Sequence, residues 1–496
     1  MAVPGDAPAT APQQPPAPQP FAVMRSRAYL LLLVLAVVLG VPIAAAAFGF
    51  LKLTDLLQHW MFADLPSAVG FTSAPTWWPV VPLGVAGLLV GLTVRYLPGR
   101  GGESPAHGFA AGGPPAPAAL PGILLAALAS VGLGAVVGPE APLIALGGGL
   151  AFLAVRMAGR DLPPRAAAVV AATGSFAAIS TLLGSPLAGA FLLLEASAVG
   201  GALATVVLLP GLLSAGIGAL VFTGLDSLTG YGTFSLAVPN LPTAGAPTVG
   251  EFGWALVVGL LAGPLSAGLR RLAVAVRDRT VIHPVPATVL LGLVTAALAV
   301  GYVEATGHAD SDVLFSGQSA LPGLLTHAGS YSVGALLLLL LCKGLAYSAA
   351  LAGFRGGPTF PAMFLGAAGG IALSHLPGLG LVPAAAMGIG AMTAAMLRLP
   401  LSAVLLTTLF LGSDGFSVMP LTIVAVVVAY LTANWIAPPP NHPAAPRQPT
   451  GPAERAAAGP ETPAPRTPVV GSAATAGESG PAPLGARPGP ESPRQK

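Results

Sequence analysis

Gly138-Pro139-Glu140-Ala141-Pro142-Leu143-Ile144-Ala145-Leu146-Gly147 returns further along the chain as Gly357-Pro358-Thr359-Phe360-Pro361-Ala362-Met363-Phe364-Leu365-Gly366. Both fit G-P-x-x-P-x-x-x-L-G, at an offset of 357 − 138 = 219 residues. A second word follows in the same order: Pro186-Leu187-Ala188-Gly189 is echoed by Pro400-Leu401-Ser402-Ala403, at an offset of 400 − 186 = 214. Shared composition of Gly- and Ala-rich segments explains either word alone about as well as duplication does. Both words together, in one order and at nearly one spacing, favour duplication, and the chain reads as two related halves.

The surroundings of both words are apolar. Of 496 residues, 54% are hydrophobic and only 8% charged, with a mean hydropathy of +0.80, whereas a soluble domain carries about 25% charged residues. Runs of about 20 apolar residues, enough to cross roughly 30 Å of hydrocarbon, recur from Arg27 to Ile436. Backbone groups in lipid must be bonded internally, so these runs are helices. Apolar segments fall near 28–50, 77–97, 118–136, 141–158, 166–180, 186–223, 252–275, 286–303, 332–352, 360–374, 381–396, 400–412 and 418–436. Several are too short to span or are cut by Gly and Pro, as expected of half-helices that meet inside a transport protein.

The fold class expected is an all-α polytopic membrane protein, with two inverted-topology repeats whose broken half-helices meet at a central anion site. Residues 25–225 form the first repeat, 226–248 a linker and 249–436 the second repeat. Residues 1–24, rich in Pro, Ala and Gln, and 437–496, rich in Pro, Ala, Gly and Ser, lack apolar periodicity and read as disordered tails. The first apolar run begins after Tyr29, too late for a cleavable signal, and is expected to stay as the first span. Arg25 and Arg27 before that span, Arg95 and Arg100 after the second, and the Arg270, Arg271, Arg277 and Arg279 cluster are all assigned to the cytoplasm. Both termini are therefore expected to be cytoplasmic.

A proline at a helix start costs little, because its missing N–H would be unbonded there anyway. The remaining amides of such a start point at a common centre and attract an anion. Two starts, one from each repeat, would cradle a small anion with partial charges only, weakly enough to let it leave. Glu140 lies at one start, and Thr359 takes its place at the other. An intramembrane carboxylate is a functional candidate by default. Glu140 would occupy the anion's seat when ionised and vacate it when protonated, which makes it a gate; the plainer alternative is a carboxylate stabilised by the helix dipole and nothing more. Glu195 ends a second apolar run, where structural pairing explains it as well as proton handling does. Lys343 reads as a residue whose stem snorkels from a helix end.

Other chemistries find little support. The single cysteine, Cys342, permits neither an intrachain disulfide nor a cysteine metal cluster. No histidine has a second one four residues away, and G-x-S-x-G is missing, so neither a zinc protease nor a serine hydrolase is indicated and no enzyme, metal or cofactor is expected. A net charge of +3 without a dense basic stripe gives no footprint for nucleic acid.

Over residues 28–436 the chain resembles the ClC family of chloride channels and chloride/proton antiporters, as a divergent prokaryotic-type member without regulatory domains. Gly138-Pro139-Glu140-Ala141-Pro142 looks like the family's G-R/K-E-G-P segment, which implies that Glu140 is the external gating glutamate. Gly356-Gly357-Pro358-Thr359-Phe360-Pro361 is similar to G-G-x-F-x-P, whose amides face the ion. The resemblance thus implies an anion site at Gly138, Glu140, Ala141, Gly357, Thr359 and Phe360, with Pro358 standing where relatives supply an N–H that proline lacks. The family's G-S-G-I-P appears only as Gly101-Gly102-Glu103-Ser104-Pro105, so Gly102 takes the serine's place and Ser104 is the substitute ligand. Counted from Pro186, the antiporters' paired acids fall on Glu195 and Ala196, and the inner proton glutamate corresponds to Ala196. That departure leaves Glu195 as a displaced proton relay and weakens proton coupling. The nearest match to the family's ligand tyrosine is Tyr430. What the resemblance implies is transport of small anions, chloride by default, across the cell membrane, as a channel or weakly coupled transporter, with a chloride/proton antiporter as the alternative. It also implies a homodimer, with 186–223 and 400–436 as interface candidates.

Overall fold

The computed structural model describes residues 24–108, 115–159, 164–197, 202–230, 238, 241 and 243–437. The tails 1–24 and 437–496, apart from Met24 and Ala437, and residues 231–237, 239, 240 and 242 of the linker lie outside the described residues. The described chain is helical almost throughout. The helices of the first half are α1 (Arg27–His59), α2 (Val80–Tyr96), α3 (Leu120–Gly132), α4 (Glu140–Met157), α5 (Pro164–Leu183), α6 (Pro186–Ala196) and α7 (Ala202–Thr229). The second half contributes α8 (Val249–Ile282), α9 (Pro284–Thr306), α10 (Ala320–Thr326), α11 (Val333–Gly353), α12 (Thr359–Ser374), α13 (Leu381–Leu397), α14 (Pro400–Phe410) and α15 (Ser413–Ile436).

Local chemistry sets the boundaries. Ser26 caps α1 by accepting from Tyr29 N, and Ser185 caps α6 by accepting from Ala188 N. Thr248 and Glu251 close a reciprocal capping box on α8, two otherwise unbonded donors being satisfied at once. Two expected segments differ from those found. The first span does not stop near residue 50 but runs to His59 and on through a π turn at Trp60–Asp64. The run expected over 186–223 is two helices, α6 and α7.

Among the described residues, eight helices are long and apolar enough to cross a membrane, while α2, α3, α6, α12, α13 and α14 are shorter. The long helices α8 and α9 expose Leu256, Leu260, Leu261 and Leu290, an outward face suited to hydrocarbon. The short α12 and α13 are buried along almost their whole length. The start of α12 and nearly all of α13 thus lie inside the protein, where other helices rather than lipid surround them.

The duplication is visible in the packing. A Cβ added to Gly147 on α4 would overlap the carbonyl of Gly174 on α5, and one added to Gly366 on α12 would overlap that of Gly388 on α13. These pairs are separated by 366 − 147 = 219 and 388 − 174 = 214 residues, the two offsets of the repeated words. Each half therefore brings its two helices to backbone contact at equivalent glycines, a small-residue crossing typical of membrane interiors.

Candidate functional site

The two G-P words meet at the centre. Gly138 N donates to Gly357 O at 2.7 Å, and Gly357 N donates to Gly138 O at 2.6 Å. The two glycines are equivalent residues of the repeats, so this reciprocal pair is a self-complementary contact between halves. It brings the starts of α4 and α12 together head to head.

Glu140, fully buried, is the first residue of α4, and its side chain crosses to the other repeat. Oε1 accepts from Phe360 N at 3.1 Å. Oε2 has no hydrogen-bond partner, nor does the buried Thr359 Oγ1. The nearest atoms to a Cβ added at Gly138 or at Gly357 all belong to the Glu140 side chain. The carboxylate therefore lies between two glycines and against a helix start, a seat that only residues without side chains leave open.

A cavity of about 1070 Å³ adjoins this point. Its wall includes Ala141 and Pro142 from α4, Gly356 and Pro358 before α12, and Gly102, Glu103 and Ser104 from the loop after α2. Gly102 and Ser104 thus lie in the vestibule that opens beside the Glu140 seat. Ser104 Oγ donates to Leu351 O at 3.4 Å. Two residues that sequence reasoning passed over stand here. Tyr347, fully buried on α11, donates its hydroxyl to Pro358 O at 2.7 Å; the single hydroxyl hydrogen is spent there, so the tyrosine fixes the start of α12. Arg355, immediately before Gly356, lines the cavity.

Three other residues sit away from the seat. Glu195, at the end of α6, accepts from Leu401 N at 3.0 Å, Ser402 N at 2.7 Å and Ser402 Oγ at 2.6 Å, capping α14 across the repeat boundary. Tyr430 is half-buried on α15, where its carbonyl accepts from Asn434, and no described hydrogen bond joins it to Glu140 or α12. Lys343 does not snorkel. Its ammonium is fully buried and donates to Asp312 O at 2.9 Å, Val313 O at 3.2 Å, Leu314 O at 3.1 Å and Phe315 O at 3.5 Å, and it lies 4.3 Å from the Phe364 ring centroid. A ring of carbonyls and an aromatic face replace water around the charge. Beside it, Tyr331 donates to the Asp312 carboxylate at 3.0 Å; burial pushes that carboxyl above the ordinary carboxylate value, against the Tyr331 hydroxyl and the Lys343 charge.

An all-helical membrane protein with duplicated halves meeting at opposed helix starts has the architecture of a membrane transport protein. Residues 86–434 match the family described as voltage gated chloride channel, and the chain belongs to it. It is 28% identical over 365 residues to "Putative ion-transport protein YfeO" of Escherichia coli K12 / DH10B, across 73% of this chain and 82% of that one. The protein of the same name from Escherichia fergusonii matches to the same extent. Among solved structures, it superposes on a slow cyanobacterial chloride/proton antiporter with a TM-score of 0.66 and 20% identity, covering 82% of this chain and 95% of that one. A CLC-type fluoride/proton antiporter gives 0.59 and 20% identity, over 85% and 98%. Family membership supports anion transport by a multi-pass membrane protein, of channel or antiporter type.

Proposed function

We propose that this protein moves small anions, with chloride as the default substrate, through a path on which Glu140 is the gate. The observation that carries the reading is the seat of its carboxylate, between Gly138 and Gly357 with Oε1 on Phe360 N. A group that needs negative charge at a helix start occupies the place a permeant anion would take. Protonation weakens its hold on the amide and lets an anion replace it. The anion-binding set is Gly138, Glu140, Ala141, Gly357, Thr359 and Phe360, with Gly102 and Ser104 along the approach; Tyr430 is a weaker candidate ligand. Glu140→Gln in reconstituted vesicles is expected to conduct at every pH, without acid activation. Wild-type pH dependence in that variant refutes the gate.

A channel or weakly coupled transporter fits better than a chloride/proton antiporter. Ala196 stands where the resemblance puts the inner proton glutamate, and all three hydrogen bonds to the Glu195 carboxylate come from α14. Those bonds give the Glu195 side chain a structural task, capping α14, in place of a free relay position. Simultaneous recording of anion flux and pH at clamped voltage separates the two: steady uphill proton movement that Glu195→Gln abolishes would establish the exchanger. A homodimer is proposed through the outward faces of α6, α7, α14 and α15, where Leu187, Phe191, Leu209, Leu401 and Phe416 are exposed; crosslinking across these helices tests it.

A further inference from the structure

The vestibule beside the gate holds a guanidinium that the gating scheme does not use. Arg355 is fixed at both ends: its backbone N donates to Ser130 Oγ at 3.0 Å, and Nη1 donates to Gly353 O at 3.3 Å and Phe354 O at 3.1 Å. Nε is buried and has no partner. A Cβ added at Gly101 would lie 3.7 Å from that nitrogen, so the side chain runs along the glycine loop that walls the cavity. With Nη1 committed, the Nε and Nη2 edge of the planar group is the one left for a ligand.

The charges around it make that edge more telling. Arg277 is the charge that bears on Arg355, and its own Nε is likewise buried without a partner. Among the described residues no carboxylate forms an ion pair with either arginine. Among the described residues the only acid on the cavity wall is Glu103, which is exposed, as is Arg100 at the same loop. Two neighbouring half-buried cations, each with a buried and unpartnered Nε and no counter-charge, repel each other, and a bound anion offsets that repulsion.

We propose that Arg355 forms a second anion subsite in the vestibule, next to the Glu140 seat, and that its open guanidinium edge favours planar oxyanions, for which nitrate is the probe, over halides. The inference rests on the anion-transport reading and adds to it a specificity-determining residue. Two parallel N–H groups match two oxygens of a planar oxyanion, whereas a halide accepts at one centre and gains nothing from the fork. A subsite one step from the gate also supplies the second, weak site that fast permeation needs, since an arriving ion helps to displace the one ahead.

The test is titration of chloride and of nitrate into purified full-length protein by calorimetry, with flux of both anions in vesicles. Wild type is expected to bind nitrate more tightly than chloride. Arg355→Lys keeps the charge and loses the fork, so chloride affinity is expected to hold while the nitrate advantage disappears. Arg355→Gln is expected to weaken both by about tenfold, the size of one hydrogen bond to a charged group. Arg355→Lys carries the test even where Arg355→Gln does not assemble. A wild type without nitrate preference, or an Arg355→Lys that retains it, overturns the subsite. Vesicles that carry no anion at all overturn the transport reading instead, whatever the binding shows.

Discussion

Gly357→Ala is a narrow perturbation of the proposed gate. Gly357 is not among the positive-φ residues, so its backbone accepts alanine without strain. The three nearest atoms to the new Cβ are Glu140 Oε2, Cδ and Cβ, with Cδ at 2.6 Å and Cβ at 3.0 Å, too close for any of them to stay. The carboxylate must leave, and with it goes the hydrogen bond from Phe360 N to Oε1. A hydrogen bond to a charged group is worth about 1.5–3 kcal/mol, so the ratio of seated to unseated carboxylate falls by about 10- to 150-fold. Flux in vesicles across a pH series reads that ratio. Gly357→Ala is expected to lose acid activation and to conduct at neutral pH as Glu140→Gln does. Gly138→Ala presses on the same side chain from the other repeat and is expected to match it. Alanine and Glu140→Gln combined should add little beyond either alone, because both remove the same contact. Wild-type pH dependence in Gly357→Ala refutes the reasoning. So does loss of flux in both the wild-type and the Glu140→Gln background, which would mean that the methyl obstructs the path itself.

Two further outcomes follow from residues away from the seat. Glu195→Gln removes charge from the cap on α14, so melting in detergent should shift down by the equivalent of about 1–2 kcal/mol while flux per molecule keeps its wild-type pH dependence; unaltered melting counts against the cap. Lys343→Met leaves the carbonyls of Asp312, Val313, Leu314 and Phe315 facing a methyl, and a loss of about 3 kcal/mol or more is expected in the same melting assay. A variant as stable as wild type would show that the carbonyls find other donors.

The parts of this architecture that the sequence carries are those encoded locally. The G-P words, their offsets and the asymmetry of Glu140 against Thr359 are all visible as text, because a proline-started half-helix is specified within a few residues. What the text does not carry is which distant group answers a given side chain. Lys343 looks like a helix-end lysine until the loop 312–315 is folded over it, and its cage is made of backbone carbonyls that have no letter of their own. Arg355 sits three residues before Pro358, in plain view, yet its side chain gains meaning only from the cavity wall built by residues 99–108. Tyr347 resembles any aromatic in an apolar run, and its hydroxyl is spent on a carbonyl eleven positions away.

The reciprocal pair between Gly138 and Gly357 also bears on how the protein is made. Its two members are separated by 219 residues, and long-range contacts of this kind form late, after the chain's local helices. While the ribosome has delivered only the first half, α4 begins at Glu140 with no partner, and the carboxylate has no Phe360 amide to hold. Neither the seat between Gly138 and Gly357 nor the Phe360 bond exists at that stage, since both are made by the same meeting of halves. On the proposed gating scheme, the seat and the carboxylate's hold on it are thus completed together, when the second half meets the first.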